Sequence, residues 1–434
     1  MRHSADWHLG WVGIFRIGLV QMAIGAIVVL TTSTLNRVMV VELSLPAMLP
    51  GALVGLYYGV QLSRPNWGYR SDAGGKRTPW IIGGMAVLAL GGLGATIGTM
   101  LLETARVPGL ALSILSFLLI GVGVGASGTS LLALLATATA PERRAAAATI
   151  TWLMMILGIA LTAGSVGAML DPYSPMRLLA IVAGVCAAAL LVTTLAMYGL
   201  ERRLGALPAP EGERVPFRIA FAEIWGESRA RNFSIFIFLS MTAYFMQELI
   251  IEPFAGHVFL FTPGQSTSMA GLQNGGVFLG MLLVGIAASG FRIGSLRMWA
   301  VLGCTGSAAA LVSIALAGMS GPATPLLPLV FALGFFNGVF AVSAIGSMMQ
   351  LAGEGRSGRE GTRMGLWGAA QAIAAGFGGF FGAAAVDAMR AMVASPAEAY
   401  GAVFMFEALL FLFAAFLALR VVGSRAPAQA IPGE

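Results

Sequence analysis

The stretch ERRLGALPAPEGERVPFRIAFAEIWGESRARN, residues 201–232, decides how the rest of the chain is read. It is the longest polar segment in a chain of 434 residues that is 58% hydrophobic and only 10% charged. A membrane-spanning helix needs about 20 apolar residues. Six such runs precede the stretch, near 13–35, 46–63, 79–102, 109–138, 146–169 and 177–199. Six more follow, near 233–253, 268–289, 298–318, 326–350, 364–386 and 400–421. The expected architecture is an all-α polytopic membrane protein with twelve transmembrane helices. A first six-helix bundle occupies 1–199, a linker 200–232, and a second six-helix bundle 233–434. Within the linker, PFRIAFAEIWGESR sets Phe217, Phe221, Ile224 and Trp225 on one side of an amphipathic interfacial helix.

Composition supports this reading and excludes others. Soluble domains carry roughly 25% charged residues, and the mean hydropathy here is +0.85. The 58 glycines suit helices that pack through small residues in lipid. Cys186 and Cys304 both sit in apolar runs, which argues against a disulfide framework or a cysteine metal cluster. The start, MRHSADWHLGW, is polar and aromatic, and no cleavable signal peptide is expected. A net charge of +6 implies no nucleic-acid partner, because basic residues in a membrane protein mainly set orientation.

With the N-terminus in the cytoplasm, the cytoplasmic loops collect Arg64, Arg70, Lys76, Arg77, Arg143, Arg144, Arg292, Arg297, Arg356, Arg359, Arg363 and the arginines of the linker. The opposite side keeps Arg37, Arg106, Arg177 and Arg390. This asymmetry predicts that both termini are cytoplasmic. The halves also echo one another. Gly68-Tyr69-Arg70 recurs as Gly290-Phe291-Arg292, and the loop Pro141–Arg144 with Trp152 is matched by the charged loop before Trp367. Offsets of roughly 215–222 residues point to two parallel six-helix repeats.

The loop after the second run, Gly68-Tyr69-Arg70-Ser71-Asp72-Ala73-Gly74-Gly75-Lys76-Arg77, has the spacing G-x-x-x-D-x-x-G-[KR]-[KR]. Gly68 and Gly75 permit a tight turn, and Asp72 is suited to capping a helix end. Lys76 and Arg77 anchor the loop in the cytoplasm. The loop resembles the signature of the major facilitator superfamily at the position where that superfamily carries it. It reports a conformational latch and is silent about cargo.

A second stretch narrows the resemblance. Met246-Gln247-Glu248-Leu249-Ile250-Ile251-Glu252-Pro253-Phe254 ends the seventh run. It resembles the PucC/LhaA bacteriochlorophyll-delivery branch of the superfamily, which carries a Gln-acidic pair and then Leu-Glu-Pro-Tyr-Gly there. Phe254 and Ala255 stand where Tyr and Gly are usual. The segments Thr34–Leu43, Ala344–Met349 and Met364–Ile373 agree with the same branch. With its short N-terminal tail, the chain is similar to branch members labelled as a chain of bacteriochlorophyll synthase. The resemblance implies a photosynthetic light-harvesting complex assembly factor in the bacterial inner (intracytoplasmic) membrane. Its cargo would be bacteriochlorophyll, with no catalytic cofactor. Its partners would be membrane lipid, antenna apoproteins and bacteriochlorophyll synthase.

Several polar residues interrupt the apolar runs. Glu248 and Glu252 lie one turn apart on one helix face, and Pro253 is expected to break the helix beside a cavity or interface. One reading of the pair is a site for a cation, a proton or the pigment magnesium. The other is a solvated helix end or an ion pair with Arg37. His257 is a natural ligand type for a bacteriochlorin magnesium, with Glu252 as an oxygen alternative, although no firm metal site is expected. Arg16 is either a substrate contact or a side chain snorkelling to the cytoplasmic face. Glu407, seven residues into the last run, is either a proton relay or an interhelical bond. Asn337 and Gln371 are the amides most suited to pigment or apoprotein contact, and plain interhelical hydrogen bonding is the alternative.

Enzymatic chemistry is not expected. Attaching an isoprenoid tail through a diphosphate needs clustered aspartates, and Asp6, Asp72, Asp171 and Asp387 are spread along the whole chain. No P-loop or H-E-x-x-H pair is present. The alternative function is a proton-coupled carrier of a small solute or tetrapyrrole, with Glu252, Glu407 and Arg16 as the coupling set.

Overall fold

The computed structural model describes residues 8–63, 76–201, 226–291, 293–353 and 360–422. Among these residues the chain is helical and has no strand. The main helices of the first half are α1 (Trp11–Glu42), α2 (Met48–Gln61), α3 (Thr78–Thr104), α4 (Arg106–Ala138), α5 (Arg144–Leu170) and α6 (Pro175–Met197). Those of the second half are α7 (Ser228–Phe259), α8 (Pro263–Val284), α9 (Leu296–Ser320), α10 (Leu326–Gly353), α11 (Glu360–Met392) and α12 (Pro396–Val421). Eleven are long and apolar enough to cross a membrane, while α2 has 14 residues among those described. Lipid offers backbone groups no partners, so helices that satisfy their own are the form such runs take. The amphipathic segment 217–225 and Gly68, Asp72 and Gly75 of the loop motif lie outside the described residues.

Local signals set the helix starts. Proline opens α3, α6, α8 and α12, where its missing N–H costs nothing. Ser174 and Ser295 accept from the third backbone N–H of α6 and α9 at 3.2 Å. Thr262 and Gln265 form a reciprocal capping box at α8.

Two boundaries differ from the sequence expectation. Helix α1 continues to Glu42 by way of two π-helical turns, Leu30–Thr34 and Val38–Glu42. The polar run Thr31-Thr32-Ser33-Thr34 is buried in protein and so does not end the span. Helix α7 passes through Pro253 and ends at Phe259, so the proline does not break it. Proline lacks an N–H and leaves the Leu249 carbonyl without its helical donor; Asn36 Nδ2 of α1 takes that place at 2.7 Å.

Most of the buried apolar side chains gather into two large cores. One draws mainly on α1–α6, with Ile17, Ile27, Phe117 and Leu131. The other draws on α7–α12, with Phe233, Phe254, Phe340, Phe404 and Phe411. Between them, α5 packs on α8, α2 on α11, and α1 on α7. Inside the second lobe, α8 lies directly on α10. A Cβ at Gly280 would overlap the Phe335 carbonyl, so backbone meets backbone there.

The lobes are also joined by two carboxylates at the end of the bundle remote from the start of α1. Asp171, just after α5, accepts from Gly264 N at 3.1 Å and from Thr262 Oγ1 at 2.5 Å, at the start of α8. Asp387, near the end of α11, accepts from Ala47 N at 3.0 Å and Met48 N at 2.7 Å, at the start of α2. Each carboxylate of one lobe thus caps a helix of the other.

Candidate functional site between the lobes

A cavity of about 80 Å³ lies where α1, α5, α7, α8 and α10 meet. Helix α1 contributes Thr32 and Ser33; α7 contributes Tyr244, Gln247, Glu248 and Glu252; α8 and α10 contribute Gln273, Asn274 and Asn337. The volume is well below the about 300–1,000 Å³ of small-molecule sites and leaves room for an ion or a few waters. The lining contains two carboxylates and, among the described residues, no Lys, Arg or His.

Glu252 accepts a short hydrogen bond from Ser33 Oγ on one oxygen, while its other oxygen has no partner. Gln247 likewise keeps an unpartnered Oε1. The ion pair of Glu252 with Arg37, one of the alternatives read from the sequence, is not formed. Arg37 forms an ion pair with Glu42 and donates from Nη2 to the Phe261 carbonyl at 2.7 Å. The π-helical turn explains this, because its wider winding brings residue 42 round over residue 37. Asn337 accepts from Ser307 Oγ at 2.8 Å while also facing the cavity.

Other candidates stand elsewhere. Arg16 donates to the carbonyls of Ala196 at 2.8 Å and Tyr198 at 2.6 Å, closing the C-terminal end of α6. Gln371 reaches the Met241 sulfur at 3.7 Å. His257 Nδ1 lies 3.0 Å from the Tyr400 hydroxyl, on the side of α7 facing α12. His257 and Glu252 therefore face different helices. Glu407 is fully buried in the second core, with neither oxygen partnered.

Of the loop motif, Lys76 is exposed and Arg77 is buried. Arg77 donates to the Ala133 carbonyl at 2.8 Å and to Thr137, so it ties the loop to α4. Glu201, which sequence reasoning passed over, caps α3 through the N–H groups of Arg77 and Thr78 at 2.6 and 2.9 Å. Also missed were Thr32, Ser33 and Tyr244. A run of four hydroxyl side chains inside an apolar helix was the available signal for the first two.

Comparison with solved structures places the fold. A peptide transporter POT in complex with sulfate superposes with a TM-score of 0.71 at 15% identity, covering 95% of this chain and 96% of that one. The nucleoside transporter NupG gives 0.68 at 14%, covering 95% and 100%. At such identities the likeness shows the fold alone: a twelve-helix membrane protein of the major facilitator type. The family comes from sequence. The model described as PUCC protein matches residues 34–426. The Bacteriochlorophyll synthase 44.5 kDa chain of Rhodobacter capsulatus is 62% identical, covering 97% of this chain and 98% of that protein. Protein PucC of the same organism is 28% identical over 92% and 90%. The chain belongs to the PucC family, as its sequence motifs led one to expect.

Proposed function

We propose that the protein is an assembly factor for light-harvesting complexes, which binds bacteriochlorophyll and delivers it to antenna apoproteins. It would work in the bacterial inner (intracytoplasmic) membrane with both termini cytoplasmic, alongside bacteriochlorophyll synthase. The observation that carries this reading is the 62% identity, over nearly the whole chain, to a relative named for bacteriochlorophyll synthesis. The geometry supports a pigment path on the membrane face. A groove of about 440 Å³ between α2 and α11 is lined by Ala52, Gly55, Gly59, Ala372 and Gly376, with Tyr58, Phe377 and Phe380 beside them. Phe377 and Phe381 stack at 5.6 Å and 14°. A flat apolar macrocycle suits such a surface better than it suits the acceptor-rich central cavity.

The role is non-catalytic in this reading. The transporter-like fold supports that, whereas the relative's name carries the word synthase. Incubating the pure protein with unesterified pigment and an isoprenoid diphosphate separates the two; formation of esterified pigment would sink the non-catalytic role. The main test is genetic. A deletion strain should lose antenna absorption while pigment precursors persist. Full antenna absorption in that strain, with no second family member present, would refute the proposal. A second reading, a proton-coupled carrier, is favoured by the two carboxylates in the central cavity. Proton-dependent solute uptake into proteoliposomes would support it.

A further inference from the structure

We infer that the central cavity is a binding site for a small, hard inorganic cation, held by Glu252, Gln247 and the hydroxyls of Thr32 and Ser33. This goes beyond the pigment reading and does not depend on it. Gln247 and Glu252 are each 1% exposed, line the cavity, and keep one oxygen without a partner. A buried acceptor left unmet is costly, and more so when charged.

The serine and threonine hydroxyls around them cannot supply what is missing. Ser33 gives its proton to Glu252. Thr32 gives its proton to the Val28 carbonyl at 3.2 Å. Both therefore present only lone pairs to a further ligand. The π-helical turn Leu30–Thr34 places these adjacent residues along the cavity wall. Glu248 adds a second carboxylate on the same wall. Arg37, the basic residue nearest in sequence, is already engaged by Glu42 and Phe261.

The result is a buried set of oxygen acceptors with negative charge and no countercharge in its lining. Carboxylate, amide carbonyl and hydroxyl oxygens are the ligands that hard cations take. A phosphate or carboxylate ligand would be repelled. An apolar ligand would leave the same acceptors unmet.

The test uses the full-length protein, pigment-free, in nanodiscs of zwitterionic lipid. Thermal unfolding is followed in chloride salts of sodium, potassium, magnesium and calcium against choline, at constant ionic strength. At least one inorganic cation should raise the unfolding temperature saturably, and choline should not. Glu252→Gln keeps an acceptor for Ser33 but removes the charge; it should weaken the apparent affinity at least tenfold. Gln247→Leu removes the neutral acceptor and serves as the independent variant if Glu252→Gln fails to fold. It should also weaken binding. Identical behaviour in all five salts would overturn the inference and leave an aqueous cavity. An unchanged affinity in the variants would overturn the assignment to these residues. Neither result bears on antenna assembly, which is measured separately in the deletion strain.

Discussion

Asn36 donates from Nδ2 to the Leu249 carbonyl at 2.7 Å, across the junction of the two lobes. That carbonyl is the one that Pro253 cannot serve within α7. The amide therefore completes a partner helix's backbone. Asn36→Leu should destabilise the protein by about 1–3 kcal/mol, the range for an unmet buried acceptor. In a Pro253→Ala background the helix regains its own donor, so the same substitution should cost much less. Unfolding in mixed detergent, run as a double-mutant cycle, measures the difference. Equal costs in both backgrounds would show that the amide acts in some other way.

The Asp171 and Asp387 clasps make a second prediction. They stand at equivalent places in the two halves, within the roughly 215–222-residue offset read from the sequence. Each joins an odd-numbered helix of one lobe to an even-numbered helix of the other. A helix cap of this kind contributes about 0.5–2 kcal/mol. Replacing both aspartates by alanine should therefore loosen the lobes at that end without unfolding either core. Spin labels at the exposed positions 106 and 398 report on the gap, and the buried Cys186 and Cys304 will label poorly. The double variant should show longer and broader distances. A distance distribution matching the unmodified protein would mean that the clasps do not hold the lobes together.

Glycine positions separate packing from open surface. Gly280→Ala drives a methyl group into the Phe335 carbonyl of α10, where neither backbone has room to yield. Overpacking of this kind costs about 1–3 kcal/mol, so membrane abundance should fall. Gly59→Ala meets nothing within 4 Å and should leave abundance unchanged. Quantitative immunoblotting of membranes compares the two, and equal losses would contradict this account of α8 on α10.

What the sequence disclosed follows from which signals are local. Apolar run length is local, and it foretold the helices. That Glu248 and Glu252 share a helix face was also legible, because they lie one turn apart. The partners of those residues were not. Whether Arg37 meets Glu252 or Glu42 depends on a π-helical turn that apolar periodicity does not report. Arg16 read as either a substrate contact or a side chain snorkelling to the cytoplasmic face, and only the approach of α6 brings that helix's carbonyls to it. Pro253 looked like a terminus because the donor that rescues its helix lies more than two hundred residues away, in α1.

The groove between α2 and α11 yields the last prediction, which rests on the pigment reading. Its floor is made of small residues, and Gly55 and Gly376 face one another across it, each ideal Cβ lying 3.5–3.6 Å from the other's carbonyl oxygen. A larger side chain at Ala372 would project into the space while leaving that backbone contact intact. Ala372→Phe should lower pigment co-purifying with the protein several-fold, with abundance unchanged, because the substitution takes up room a macrocycle needs. Phe377→Ala removes half of the stacked pair on the exposed face and should lower it by a smaller factor, as aromatic stacking contributes about 0.5–1.5 kcal/mol. Gln247→Leu in the central cavity should leave the pigment yield as it was. Absorption spectra of the purified variants, normalised to protein, distinguish the two locations. Loss of pigment on Gln247→Leu but not on Ala372→Phe would move the pigment from the membrane face to the space between the lobes.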